Sequence, residues 1–260
     1  MPGAEKPEGR SAGSRIAVIE KAVKVLDSLV PVADGLTPTQ VADVIGTNRS
    51  TAFRLLTSLE QSGLLDRDGS TGRYHLGMKL LQYGSAVRNG MPIIRVAEST
   101  LANLRDETRQ SVLLAVREDW GARCLSRLPG PDVDVVSWAT GEWLPMHVGA
   151  APQALMSAMS DAEIDQYLAT NADWHTLRGE RTADEIRETV AVIRQRGWAL
   201  NVEGITQGVA SLGAVVYNRS GIPMCAISVA GLEHHYTEPQ LQRTAAVVLA
   251  AAEEIKDKLG

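Results

Sequence analysis

Residues 47–77 read TNRSTAFRLLTSLEQSGLLDRDGSTGRYHLG, and this stretch decides how the chain is organised. Thr47 stands where an N-cap belongs, and Ala52, Leu55, Leu56 and Leu59 recur at i, i+3, i+4 and i+7, which predicts a helix with one buried stripe. The opposite side carries Arg49, Ser50, Arg54, Thr57 and Ser58. Arginines and hydroxyls without carboxylates suit a groove lined by phosphates and base-edge acceptors. Thr47, Arg49, Ser50, Thr51 and Arg54 are therefore candidate DNA contacts. Residues near the start of such a helix enter the groove first, which makes Arg49 or Ser50 the base reader and Arg54 the phosphate clamp. After Gly63 the period changes. Leu64 and Leu65 begin a strand, Asp68 to Gly72 supply turn residues, and Arg73-Tyr74-His75-Leu76 return as a second strand. Arg67 and Arg73 flank that turn, in position for a wing to touch backbone phosphates.

Upstream, Ile16, Ile19, Val23, Leu26 and Val30 recur at three and four, which predicts an amphipathic helix over residues 15–30 with these residues as its apolar stripe. Thr37 caps a short second helix through Ile45, with Pro38 in the first turn where its missing donor costs nothing. Gly46 then turns the chain. Helix, short helix, turn, helix and wing make a winged helix-turn-helix domain over residues 15–76. Residues 1–14, rich in Gly, Pro and charge, read as a disordered tail. Residues 77–108 read as a helical linker, Met78 to Arg88 and Ile93 to Thr108, interrupted at Gly90 and Pro92.

The remaining 109–260 alternate between both periods. Strands are expected at 111–118, 123–128, 134–138, 212–218 and 223–231, and helices at 152–159, 161–168, 183–196 and 238–259. Strands at both ends with helices between and after them define an α+β class rather than a doubly wound nucleotide fold. No GxGxxG or GxxxxGK[ST] stands at a strand-to-helix junction, so no nucleotide cofactor is indicated.

The 260-residue chain has room for about two domains and carries a net charge of −5. Residues 1–88 hold 11 Lys and Arg against 9 Asp and Glu, so the small positive balance sits on the half with the recognition helix. Dimerisation would double that footprint for an anionic partner. Cys124 and Cys225 stand far apart in sequence, which indicates neither a disulfide framework nor a Cys-rich zinc module and points to a reducing cytoplasm. No apolar run approaches the roughly 18 residues of a membrane span, and the N-terminal residues lack the apolar core of a signal peptide. His147, His175, His234, His235 and Glu233 match no ligand spacing such as HExxH, and the adjacent histidines are expected to point apart, so no metal is indicated. Ser228 has no evident base and the two cysteines have no defined His partner, so no catalytic residue is expected. The competing reading is an enzyme or small-molecule-binding module with a fused helical domain that does not read DNA.

Three segments together carry a family resemblance: STAFRLLTSLEQSGLL at 50–65, GEWLPMHVGAAPQALMS at 141–157 and NVEGITQGVASLGAVVYNRSGIPMCAISVAG at 201–231. In this order they resemble the IclR (isocitrate lyase regulator) family of bacterial transcription factors. The resemblance implies a C-terminal GAF-like effector-binding domain and a homodimer or dimer of dimers on a palindromic double-stranded DNA operator. It also implies a small carboxylate or aromatic catabolite as effector; repression is expected ahead of activation, although the sequence does not encode the sign. The family's effector positions fall here on Met146, His147, Ala150, Ala151, Asn201, Ser211 and Ser228. Several positions depart from the family pattern: Asn201 and Gly204 replace acidic residues, Ser211 a cysteine, Ala230 a serine and Gln153 a lysine. The resulting neutral shell suits a larger or partly aromatic effector, with Trp138, Trp143, Met146 and Met224 as apolar wall. If Pro152 occupies the first turn of a helix, backbone N–H groups near Ala150 and Ala151 face an effector carboxylate.

Overall fold

The computed structural model describes residues 16–132, 138–170, 175–176, 179–202 and 204–259. The expected N-terminal tail and nearly all of the strand expected at 134–138 lie outside these residues. The chain divides into two compact units, Met1–Gly90 and Met91–Gly260, so the division falls inside the segment read as linker.

The first unit runs α1 (Ala17–Leu29), α2 (Pro38–Ile45), α3 (Arg49–Gln61), β1 (Leu65–Arg67), β2 (Tyr74–Leu76) and α4 (Met78–Asn89). Thr37 and Gln40 form a reciprocal box at the start of α2, each side chain accepting from the other's backbone N–H. Gly46 ends α2 at φ 63°, a left-handed conformation that a glycine adopts without Cβ strain. β1 and β2 pair antiparallel with Leu65 opposite Leu76 and Arg67 opposite Tyr74, and Tyr74 also exchanges backbone hydrogen bonds with Leu36. Val25, Leu29, Val41, Ala52, Leu56, Leu59, Leu65 and Tyr74 make one core.

The apolar stripe expected on α1 is not the buried one. Val25 and Leu29 enter the core with Leu26 beside them, whereas Ile16 is 60% exposed, Ile19 57% and Val30 63%. Apolar residues occur all round this helix, so periodicity alone did not identify the side that meets α2 and β2. α4, by contrast, buries no residue, with Met78, Leu81 and Val87 exposed.

The second unit opens with α5 (Pro92–Thr108), β3 (Ser111–Glu118), β4 (Gly121–Leu128) and β5 (Trp143–Pro145). It continues through α6 (Ala150–Ser157), α7 (Asp161–Thr170), the short pair β6 (His175–Thr176) and β7 (Gly179–Glu180), α8 (Ala183–Arg196) and β8 (Ala199–Val202). β9 (Val209–Tyr217), β10 (Pro223–Leu232), a 3₁₀ turn at Glu233–Tyr236 and α9 (Gln240–Leu259) close it. Six strands form one antiparallel sheet in the order β5-β4-β3-β10-β9-β8. Leu101, Leu104, Val248 and Ile255 of α5 and α9 cover one face, over Val112, Leu114, Leu212 and Ile227. Ala151, Leu155, Tyr167, Ile186 and Val190 of α6, α7 and α8 cover the other, over Leu113, Ala115, Ala226 and Ala230. This is an α+β layer arrangement, as expected.

Register places the polar positions of the later strands. Ser211 lies opposite Asn201 and Ala230, and Ser228 opposite Gly213 and Leu113. Because side chains alternate with period two, Asn201, Ser211, Gly213 and Ser228 share the face covered by α6. Gly213 is required by close approach: a Cβ there would lie 3.0 Å from the Ala150 carbonyl carbon and 3.1 Å from the Ala151 nitrogen. Gly213→Val should therefore lift the start of α6 and destabilise the second unit by about 1–3 kcal/mol, the cost of overpacking a filled interior. Urea unfolding followed by tryptophan fluorescence checks this; an unchanged midpoint would contradict the packing.

Candidate nucleic-acid interface and effector site

Helix α3 begins one residue later than its sequence suggested. The Thr47 N–H donates to Ala42 O at 3.0 Å, which holds Thr47 in the turn after α2. Asn48 caps instead, its side-chain oxygen accepting from the Thr51 N–H at 2.8 Å. Asn48 is as good a cap residue as Thr, so the local signal for a one-residue shift was present but ambiguous. Ala52, Leu56 and Leu59 are buried and Leu55 is half-buried, while Arg49, Ser50, Thr51, Phe53, Arg54 and Ser58 are exposed. No carboxylate stands on α3 before Glu60. Phe53 is an exposed aromatic on this helix that the reading of its sequence did not single out.

The wing's two arginines differ. Arg67 is exposed, its guanidinium 5.8 Å from the Tyr74 ring centre. Arg73 is half-buried and donates from Nη1 to Gly35 O at 2.8 Å, which ties the hairpin to the loop before α2. Asp68 shapes the tip: its carboxylate accepts from the Ser70 hydroxyl and N–H, both at 2.7 Å, and from the Thr71 N–H at 3.2 Å. Those hydrogen bonds, the Ser70 hydroxyl foremost, hold its carboxyl well below the usual carboxylate range.

In the second unit α6 starts at Ala150, two residues before the expected start, with Gly149 at its N-cap and Pro152 as third residue. Of the two amides expected to be free, the Ala150 N–H already donates to Ser211 Oγ at 3.3 Å. No described residue accepts from the Ala151 N–H. Met146 and His147 are fully buried just ahead of the helix. His147 Nδ1 and the Tyr167 hydroxyl lie 2.5 Å apart, and the Trp120 and Tyr167 ring centres 6.0 Å apart. Burial pushes the Tyr167 hydroxyl up to about 12, so it stays protonated near neutrality. Asn201 folds its side chain over Gly204, whose added Cβ would meet the Asn201 amide oxygen.

Gln153 is 3% exposed and its Nε2 donates to His147 O at 2.9 Å. That carbonyl fixes the amide orientation, because only the NH₂ end can donate. The Gln153 Oε1 is thereby left buried with no hydrogen-bond partner among the described residues, an arrangement that carries a desolvation cost unless a donor arrives. Met146, His147, Ala150, Ala151, Ser211 and Ser228 thus come together around the start of α6 and the sheet beneath it. Gln153, read from the sequence only as the place of an absent lysine, joins them, and so does Tyr167, which the sequence had not suggested. Trp138 is buried, but Trp143 and Met224 are substantially exposed and do not form apolar wall.

Burial pushes the Cys124 thiol up to about 11 and the Cys225 thiol up to about 12, so both stay protonated and inert. His234 and His235 do not point apart: the 3₁₀ turn brings their ring centres to 4.3 Å, edge to face. No group of three metal-ligating side chains occurs among the described residues.

A winged helix whose third helix exposes a side free of carboxylates from Arg49 to Ser58, joined to an antiparallel α+β sensor-type domain, defines a DNA-binding transcriptional regulator. The chain belongs to the IclR family. Residues 85–257 match the bacterial transcriptional regulator IclR C-terminal model and residues 18–69 the IclR helix-turn-helix domain. It is 26% identical over 226 residues to the HTH-type transcriptional regulator KipR of Bacillus subtilis, covering 86% of this chain and 90% of the relative. It is 24% identical over 247 residues to the transcriptional repressor IclR of Escherichia coli, covering 94% and 90%. An IclR homologue from Microbacterium hydrocarbonoxydans, solved with 4-hydroxybenzoate, superposes with a TM-score of 0.78 at 20% identity, over 93% of this chain and 98% of its own.

The cap assignment is testable. Asn48→Ala should lower the stability of the first unit by about 1 kcal/mol, whereas Thr47→Ala should change it by less than about 0.5 kcal/mol. Equal losses in thermal unfolding of the two variants would contradict it.

Proposed function

We propose that this protein is a cytoplasmic, non-enzymatic repressor that binds a palindromic operator as a homodimer or dimer of dimers and responds to a small carboxylate bound at the start of α6. The observation that carries the DNA reading is the exposed side of α3, which runs from Arg49 to Ser58 without an acidic residue. In this reading Arg49 and Ser50 meet base edges, with Thr47 and Thr51 beside them. Arg54 and Arg67 hold phosphates, and Arg73 braces the wing. Self-association is supported by the apolar side chains of α1 and α4 that find no cover within their own unit, Ile16, Ile19, Met78 and Leu81 among them. No described helix is long and apolar enough to cross a membrane. Repression is supported by the repressors among the relatives.

For the effector, the Ala151 N–H at the start of α6 suits a carboxylate, and the Gln153 Oε1 suits a hydroxyl. A hydroxylated aromatic acid combines both, and 4-hydroxybenzoate bound to the Microbacterium homologue is of this kind. Met146 supplies apolar contact, while His147, Asn201, Ser211 and Ser228 complete the polar lining. A ligand that prefers one conformation of this domain shifts operator affinity by no more than its differential affinity for the two states.

Two experiments check these assignments. Fluorescence anisotropy with the intergenic duplex beside the gene should give sequence-selective binding that Arg54→Ala weakens at every sequence tested; binding no better than to a scrambled duplex, at all salt concentrations, would contradict the assignment. Calorimetry should show 4-hydroxybenzoate bound more tightly than benzoate by about 1–3 kcal/mol, the cost of leaving a buried acceptor unpaired, and Gln153→Leu should erase the difference. Equal affinities in the wild-type protein would overturn the role given to Gln153.

A further inference from the structure

A groove of about 380 Å³ lies between the first turns of α1 and the flank of α3. From α3 it takes Thr51, Arg54, Leu55 and Ser58, one helical side at i, i+3, i+4 and i+7; from α1 it takes Ala17, Val18 and Lys21. Two cations therefore converge from separate helices, and no carboxylate lines the groove. Among the described residues neither Lys21 nor Arg54 forms an ion pair, which holds for the other described cations of the first unit as well, so what sets these two apart is that they line one groove. A pair of like charges left facing one half-enclosed space is unfavourable unless an anion enters it.

We propose that this groove seats a DNA backbone phosphate, bracketed by the Lys21 ammonium and the Arg54 guanidinium, with the Thr51 hydroxyl as a third donor. The inference rests on the DNA-binding reading and adds to it a contact from α1. Ser58 is not the neutral donor, because its hydroxyl proton already goes to Arg54 O at 2.9 Å. The position suits a phosphate rather than a base. Thr51 and Ser58 lie on the flank of α3 between its buried side and its fully outward side, and the backbone of DNA lies along the flanks of a helix inserted in the major groove. Lys21 thereby becomes a positioning contact that fixes the angle of α3 and carries no sequence preference. The Lys21 side chain is half-buried and lines the groove together with Val18 and Leu55, which suits a long stem that keeps its charged end in water.

The test uses the full-length protein, the intergenic duplex and a scrambled duplex of equal length, with binding measured from 50 to 300 mM NaCl. Lys21→Gln should weaken both duplexes by the same factor, about eightfold per contact near 0.1 M salt, and should lower the slope of log affinity against log salt by about one unit per contact. Lys21→Arg should restore both. Unchanged affinity and slope in Lys21→Gln, with Arg54→Ala still impaired, would overturn the groove assignment while leaving the DNA-binding reading intact. An altered oligomeric state in Lys21→Gln, seen by light scattering without DNA, would overturn it in favour of a contact between copies. Failure of the wild-type protein to bind either duplex at 50 mM NaCl would overturn the DNA-binding reading itself, and this inference with it.

Discussion

Leu56 is wholly buried between Ala52 and Leu59, against Val25, Val41 and Tyr74, and the DNA-reading half of the molecule depends on that one-sided burial. A leucine taken fully out of water contributes about 1.5–3 kcal/mol, enough to fix which way a thirteen-residue helix faces. With Ala52, Leu56 and Leu59 committed inward, Ser50, Arg54 and Thr57 have only the opposite direction left. The Gly46 turn and the Asn48 cap then set where the helix starts, and so which residues stand foremost in a groove.

The second unit rests on a different constraint, the closeness of α6 to the sheet. Gly213, Ser211, Ser228 and Ala230 form a floor of small residues, and over it the backbone at Ala150 and Ala151 approaches to contact distance. That approach leaves little width at the helix start. The polar groups there are consequently paired in a chain, Tyr167 to His147 and His147 to Gln153, which ends at one buried acceptor. Such a terminus distinguishes ligands sharply, because a ligand without a donor leaves the cost of the unpaired oxygen in place. The lysine expected by resemblance would have placed a charge where this chain places a neutral, fixed amide.

Much of this was legible in the sequence wherever a pattern has one physical cause. Thr37-Pro38 with Gln40, and Thr182 with Glu185, carry their capping chemistry openly, and the helices they start were read at nearly their observed bounds. SVLLAVRE is β3 residue for residue. The face shared by Asn201, Ser211 and Ser228 needed register, which no single strand contains. The start of α6 was misread because Gly149 caps it without a side-chain hydrogen bond and Pro152 sits in its third position rather than its first. The buried side of α1 was hidden by apolar residues all round it. Lys21 was invisible because it matters through Arg54, which a separate helix places beside it, and Gln153 was legible only as a missing lysine, because its fixed amide depends on the His147 carbonyl.

Selection from a random duplex library by the full-length protein, followed by sequencing of the retained DNA, tests the central claim most directly, because it needs neither a known operator nor a known effector. The account predicts enrichment of one motif with two inverted halves, each short enough to be read by a single α3, as two-fold symmetric helix-turn-helix dimers require. A retained pool with no enriched sequence after repeated rounds at moderate salt would contradict it.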